Sequence, residues 1–114
     1  MYAVIFEVYP TKEGKEEYLK IASTLKEFLQ NRKGFISIER FQSLVDENKL
    51  LSLSFWEDEE SIEIWRNMFE HRMAQDRGNG GIFEDYRIRV AKVQRDYTKD
   101  NRTQAPKYSN EHRA

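Results

Sequence analysis

The chain has 114 residues, 39% of them hydrophobic and 13% aromatic, which is enough for one domain with a single core. Its formal net charge of −1 gives no general attraction to nucleic acids or to anionic membranes. The absence of cysteine excludes disulfides, thiolate metal sites and thiol nucleophiles, and no apolar run approaches the roughly 20 residues of a membrane-spanning helix. Met1 leads directly into an alternating segment without the features of a secretion signal, so we expect a cytoplasmic protein.

The first half of the sequence predicts a strand, a helix and a hairpin. Residues 2–9 are mainly β-branched and aromatic, which is typical of a strand, and Pro10 ends it because proline has no N–H to donate. Over residues 15–33 apolar side chains recur at spacings of three and four, which predicts an amphipathic helix. Residues 35–44 and 50–56 are typical of strands. The short polar connection between them indicates that they are antiparallel neighbours.

The second helix is predicted to begin with four acidic residues, 57–60, and to end near Gln75. We interpret these acids as a solvated helix start, where negative charge suits the helix dipole, rather than as a metal site. Trp65 lies at the centre of the core stripe of this helix. Beside that stripe runs a second row, which changes from apolar to polar and which we expect to lead toward an opening: Ile64, Met68, His71 and Gln75.

A Gly-rich break around residues 78–81 ends the second helix, and residues 82–97 are predicted to form the last strand. Alternation places Tyr86 on the same strand face as two aliphatic residues, and Arg87 and Arg89 on the other face. Residues 98–114 show no periodicity and little apolar content. We therefore expect a domain over residues 1–97 and a polar tail that is either disordered or wrapped around a partner subunit.

The order β-α-β-β-α-β predicts an α+β protein of the ferredoxin-like split βαβ type, with two helices on one face of a four-stranded antiparallel sheet. The first strand is apolar on both faces, yet one layer of helices covers only one of them. A second copy of the chain is the simplest cover for the other face. We therefore expect a homodimer whose sheets pack face to face.

The sequence resembles the antibiotic biosynthesis monooxygenase-like family of dimeric α/β barrels, most closely its uncharacterised bacterial branch. The resemblance covers residues 1–97. The residues that carry it are Trp65, the segment His71-Arg72-Met73-Ala74-Gln75, Gly78, the strand Tyr86-Arg87-Ile88-Arg89-Val90-Ala91-Lys92-Val93, and Arg95-Asp96-Tyr97, together with the Pro10-to-Gly14 turn and Phe55-Trp56.

The resemblance implies two kinds of chemistry. One is cofactor-independent oxygenation of quinol-like or polycyclic aromatic substrates, in which the substrate anion supplies electrons to oxygen. The other is haem degradation, which uses a strand-one asparagine and a tryptophan and a histidine of the second helix. Trp65 matches that tryptophan, but Gln75 stands at the histidine position and Glu7 near the asparagine position. The resemblance therefore favours the cofactor-independent reaction over haem.

Among the candidate site residues, His71 is the general base that the sequence favours, because an imidazole accepts a phenolic proton near neutral pH. A structural role at the border of the core is the alternative. Trp65 and Tyr86 are candidates for substrate binding or for simple core packing, and Arg72 for holding an anionic oxygen or for ion pairing. Gln75 and Met68 complete the predicted substrate-binding set.

Taken together, these residues predict a monooxygenase for a small aromatic or quinol-like substrate, bound between the second helix and the sheet. The alternative is a dimer that binds a small ligand without turnover. Haem binding is the weaker third hypothesis.

Overall fold

The computed structural model describes residues 1–75 and 81–108, with the side chains of residues 73–75 outside that description. The element order is β-α-β-β-α-β, as predicted. The elements are β1 (Tyr2–Pro10), α1 (Gly14–Leu29), β2 (Phe35–Gln42), β3 (Leu50–Trp56), α2 (Glu59–Gln75) and β4 (Phe83–Lys92).

The strands form one antiparallel sheet in the order β2-β3-β1-β4, with two helices packed on it, so the ferredoxin-like prediction is confirmed. The last strand ends at Lys92 and not at Tyr97. Tyr2 pairs with Lys92, and beyond that pair the Val93 N–H donates to the Met1 carbonyl at 3.0 Å.

Alternate residues of β1 face opposite sides of the sheet. Val4, Phe6 and Val8 are buried beneath the helices. On β4 the residues that pair with them are Val90, Ile88 and Tyr86, so the helix-covered face of β4 is the one that the alternation predicted. The core also includes the buried stripe of α1 and the even-numbered residues of β3.

Both helices are fixed at their first turns. The Thr11 N–H donates to the Ile82 carbonyl at 2.8 Å, and the Gly14 N–H donates to Thr11 Oγ1 at 2.9 Å. A side chain at Gly14 would collide with the Ile82 carbonyl, so only glycine allows this approach. At the start of α2, Asp58 Oδ1 accepts from the Ser61 N–H at 2.8 Å, which is an N-cap. The bond from Thr11 to Ile82 therefore fixes the start of α1 to the residue that precedes β4.

The other face of the sheet carries half-buried apolar residues on its two central strands, namely Ile5, Leu51, Leu53 and Phe55. Glu7 lies among them and pairs with Lys49 at 3.4 Å and with Arg89 at 3.3 Å. Arg89 thus has an ion-pair partner within its own chain. The apolar character expected of this face is present, and the homodimer stays a prediction.

The chain after β4 is stabilised by local contacts. The Asp96 N–H donates to Gln104 Oε1 at 2.8 Å, and the guanidinium of Arg102 lies 4.9 Å from the centre of the Tyr97 ring. Whether this segment wraps a partner stays a prediction. Of the helices described, none combines the length and the apolar character that crossing a membrane requires.

Candidate functional site

A cleft of about 610 Å³ lies between α2 and β4 on the helix-covered side of the sheet. Two helices do not cover all four strands, and β4 is the edge strand next to β1. Tyr86 and Val90 on β4 face the helix layer, yet they are 55% and 41% exposed. The cleft is therefore the part of this face that the helices leave open.

Aromatic rings form the inner wall of the cleft. The ring of Phe6 on β1 contacts three others edge-on: Phe69 at 5.7 Å, and Phe83 and Tyr86 at 5.9 Å each, between ring centres. Trp65 stacks on Phe69 at 5.5 Å. Aromatic pairs at these distances fix one another's orientation and bind flat apolar molecules well. The wall is therefore suited to a planar ring.

Few polar groups accompany this wall. Trp65 is only 5% exposed, and its indole Nε1–H has no hydrogen-bond acceptor within residues 1–75 and 81–108 as described. A buried donor without an acceptor is costly, so a ligand oxygen that reached it would gain a favourable bond. At the mouth, Arg66 Nη2 donates to Glu70 Oε1 at 3.2 Å, and the carboxylates of Glu84 and Asp85 complete the rim.

Tyr18 of α1 supports the wall from behind. The centre of its buried ring lies 5.2 Å from the ring centre of Phe83 and 6.4 Å from that of Phe69. Burial raises the pKa of the Tyr18 hydroxyl, and the nearby guanidinium of Arg40 opposes that rise through its charge and a hydrogen bond. Tyr18 therefore stays a neutral phenol at physiological pH and acts as a fixed support.

Two of the predicted site residues, Trp65 and Tyr86, line the cleft. Met68 is half-buried, and His71 and Arg72 are exposed; these three are not among the lining residues. At 100° per residue, His71 lies roughly 140° around α2 from Arg66, which does line the cleft. The side chain of Gln75 lies outside the described residues, and so do Gly78 and His112.

The sequence did not single out the aromatic residues Phe6, Phe69 and Phe83 or the polar pair Arg66 and Glu70 as parts of a site. The sequence did contain a signal for these rings. Phe6 shares its strand face with the core residues Val4 and Val8, and Phe69 follows Trp65 by one helical turn. No sequence pattern marked Arg66 and Glu70, because an Arg-Glu pair four residues apart is common on exposed helix surfaces.

Residues 1–77 match the family model described as antibiotic biosynthesis monooxygenase. A jasmonate monooxygenase of Pyricularia oryzae is 46% identical over 93 residues, which are 82% of this chain and 43% of that protein. The chain thus spans less than half the length of this relative. An uncharacterised protein of Bacillus subtilis, YqjZ, is 30% identical over 94 residues, which are 82% of this chain and 80% of that protein.

Among solved structures, the haem degrader MhuD of Mycobacterium tuberculosis, with two haems bound in its active site, superimposes with a TM-score of 0.64. The match covers 86% of this chain and all of that chain, at 14% sequence identity. At this identity the likeness concerns the fold.

Proposed function

We propose, since this chain belongs to the antibiotic biosynthesis monooxygenase family, that it is a monooxygenase for a small aromatic or quinol-like molecule held in the cleft between α2 and β4. One observation carries the proposal: aromatic rings line the cleft, and one of them, Trp65, has a buried indole N–H that lacks an acceptor in the described part of the chain. Such a wall binds a flat ring, and such a donor binds an oxygen on that ring.

The ring of the substrate lies against Phe6, Phe69 and Trp65. Contacts of this kind are worth about 0.5–1.5 kcal/mol per aromatic pair beyond the area buried. Tyr86 closes the outer side, and because it is half-exposed it can move aside as the substrate enters. The cleft therefore provides affinity mainly through ring contacts.

In this proposal the Trp65 N–H donates to a phenolate or enolate oxygen on the bound ring, which requires the ligand to reach this buried group. A hydrogen bond to a charged oxygen contributes about 1.5–3 kcal/mol, more than one to a neutral oxygen. Such an anion is electron-rich and reduces O2 directly; one oxygen atom enters the product and the other leaves as water. In this proposal the substrate supplies the electrons, and the protein supplies binding, orientation and stabilisation of the anion.

The proton acceptor has two candidates. The sequence favours His71, and this assignment stays a proposal. Its side chain is exposed on α2 and is not among those that line the cleft. Glu70 lines the cleft and is held by Arg66. A carboxylate is a weaker base than an imidazole toward a phenol. The two are separated by comparing His71→Ala with Glu70→Gln in the assay below.

We propose that haem is not the ligand of this cleft. No histidine is among its lining residues as far as the chain is described, and Glu7, near the position of the strand-one asparagine, lies on the opposite face of the sheet, where it pairs with Arg89. The side chain of Gln75, at the family's histidine position, lies outside the described residues. We therefore derive no reaction step through haem.

The test measures oxygen uptake by the purified protein in the presence of a metal chelator. The candidate substrates are a panel of naphthoquinols and anthrones. Jasmonate is added to the panel because a relative is named for it. Calorimetry measures binding of the same compounds in the absence of oxygen. We expect one molecule of O2 consumed per molecule of product, and a rate at least tenfold lower for Trp65→Phe. Binding without oxygen uptake would overturn catalysis and establish the ligand-binding alternative. If no compound binds and no oxygen is consumed, both the catalytic hypothesis and the ligand-binding alternative are overturned.

We also propose that two copies associate through the sheet face opposite the helices. Ile5, Leu53 and Phe55 lie together at its centre and are only half-buried within one chain. Sedimentation equilibrium should give twice the mass of one chain, and Leu53→Glu should give monomers, because it places a charge in the apolar centre. A monomeric wild type would refute this association and leave the cleft proposal standing.

A further inference from the structure

Arg66 belongs to two clefts. It lines the aromatic cleft and also a second cleft of about 460 Å³ that lies nearer the start of α2. The second cleft is lined by Glu59, Ile62, Glu63, Arg66, Asn67 and Val90. Among the described residues, Arg66 is the one that both clefts share.

The two clefts are successive parts of one groove. On β4, Ile88 lines the first cleft and Val90 the second, and these residues are neighbours on the same strand face, roughly 7 Å apart. On α2, Trp65 lines the first cleft and Ile62, almost one turn earlier, lines the second. The same helix and the same strand thus form both walls, and the side chain of Arg66 stands between the clefts.

The position of Arg66 depends on Glu70. The guanidinium is bonded to the Glu70 carboxylate at 3.2 Å, and the two side chains are 41% and 56% exposed. Its Nε is buried without an acceptor among the described residues. The arginine is therefore held at its tip by an exposed ion pair, which is a weak bond. A single substitution of Arg66 therefore removes the side chain that lines both clefts.

We propose that Arg66, held by Glu70, divides the groove and limits the length of the ligand that the aromatic cleft accepts. The occupant is a single molecule, a flat ring on the aromatic wall with a substituent directed along α2 toward Ile62 and Val90. This inference rests on the proposed function, since it takes the aromatic cleft as the seat of the ring. It adds the residue that sets how large the ligand is.

The test is a calorimetric titration with naphthol and its alkyl derivatives, from ethyl to octyl, without oxygen so that turnover plays no part. Each methylene that becomes buried should tighten binding roughly three- to fourfold. With the wild type we expect this gain to stop at a short substituent. With Arg66→Ala we expect it to continue to longer ones, because the second cleft becomes accessible. Arg66→Lys, which keeps a long side chain there, should restore the wild-type limit.

Arg32→Ala is the matched control, because Arg32 is exposed in the connection after α1, away from both clefts. It should bind the whole series like the wild type. If naphthol binds and the Arg66→Ala series stops at the same substituent as the wild type, this inference is wrong and the proposed function stands. If naphthol and its derivatives do not bind to the wild type at all, this inference is wrong, and the oxygen-uptake panel decides the proposed function.

Discussion

The helix-covered face of the sheet has a closed half and an open half. On β3, Trp56 is 1% exposed, whereas Tyr86 on β4 is 55% exposed, although both side chains lie on that face. The closed half lies under the helices, and its apolar residues belong to one core. The open half lies beside α2, where β4 extends beyond the helix layer. The comparison shows that alternation decides which face a residue joins, while the number of covering helices decides how deeply it is buried.

The largest effect should come from the closed half. Trp56→Ala removes a ring whose centre lies 5.2 Å from the ring centre of Phe35 and 5.6 Å from that of Trp65. It also removes the hydrogen bond that the Trp56 indole N–H donates to Ser54 Oγ at 2.8 Å. Large-to-small changes of this kind cost about 3–5 kcal/mol in free energy of unfolding. Urea unfolding followed by circular dichroism measures the loss. A cost close to that of the same truncation at Tyr86 would contradict the division into closed and open halves.

The boundary between the halves is tested at Trp65, which packs on Trp56 on one side and lines the cleft on the other. Trp65→Phe keeps a ring and removes the buried N–H. We expect naphthol binding to weaken roughly tenfold, because one hydrogen bond to the ligand is lost. Stability should change by about 1 kcal/mol or less, since the lost ring volume is offset by the removal of an unpaired buried donor. Unchanged affinity would show that the indole N–H does not contact the ligand.

The fold was readable from the sequence because both periodicities are strong. The alternation of β1 and the three-and-four spacing of α1 each specify one buried face, and the order of the elements leaves few topologies. The end of β4 was less readable. Residues 93–97 were predicted to continue the strand, but Lys92, opposite Tyr2, is the last residue of β4 that pairs with β1. The end of a strand depends on its partner, and no local pattern records the partner's length.

The site was readable only in part, and α2 explains why. Trp65 was identified because it lies at the centre of the core stripe, and Tyr86 because alternation fixed its face. The row through Ile64 and His71 was expected to lead to an opening. The described members of that row, Ile64, Met68 and His71, are not among the residues that line the cleft, and Ile64 is exposed. A helical wheel gives two flanks beside a core stripe, and only the position of the edge strand decides which flank faces a cleft.

In the open half, Tyr86→Ala should have a small effect on stability and a larger effect on binding. Tyr86 is half-exposed and makes two ring contacts, with Phe6 and Phe83. We expect a loss of about 1 kcal/mol or less in free energy of unfolding and a several-fold loss of naphthol affinity. Tyr86→Phe should keep most of the affinity if the ring contacts dominate. A stability loss as large as that of Trp56→Ala would show that the open half is part of the core.

The smallest effect concerns the first turn of α2. Asp58 accepts the Ser61 N–H there, and Ser61 Oγ donates to the Lys33 carbonyl at 3.1 Å, so the cap fixes the start of the helix to the loop before β2. The hydrogen bonds from Ser61 lower the pKa of the Asp58 carboxyl below its ordinary value. A carboxyl whose pKa is lower in the folded state stabilises the protein above its unfolded pKa, and this contribution is lost as the pH falls through the folded pKa. Asp58→Ala should therefore lower the Tm modestly at neutral pH, and the difference from the wild type should shrink in acid.

Thermal unfolding across that pH range measures the difference, with Glu57→Gln as a control that removes a neighbouring charge and leaves the Asp58–Ser61 bond intact. A Tm difference that stayed constant into acid would mean that the charge of Asp58 contributes nothing to the cap. If the Tm difference does shrink in acid, the naphthol affinity of Asp58→Ala relative to the wild type should change only weakly over the same pH range. The cleft is lined by later turns of α2, whose position depends on the stacking of Trp65 and Phe69 rather than on the first turn.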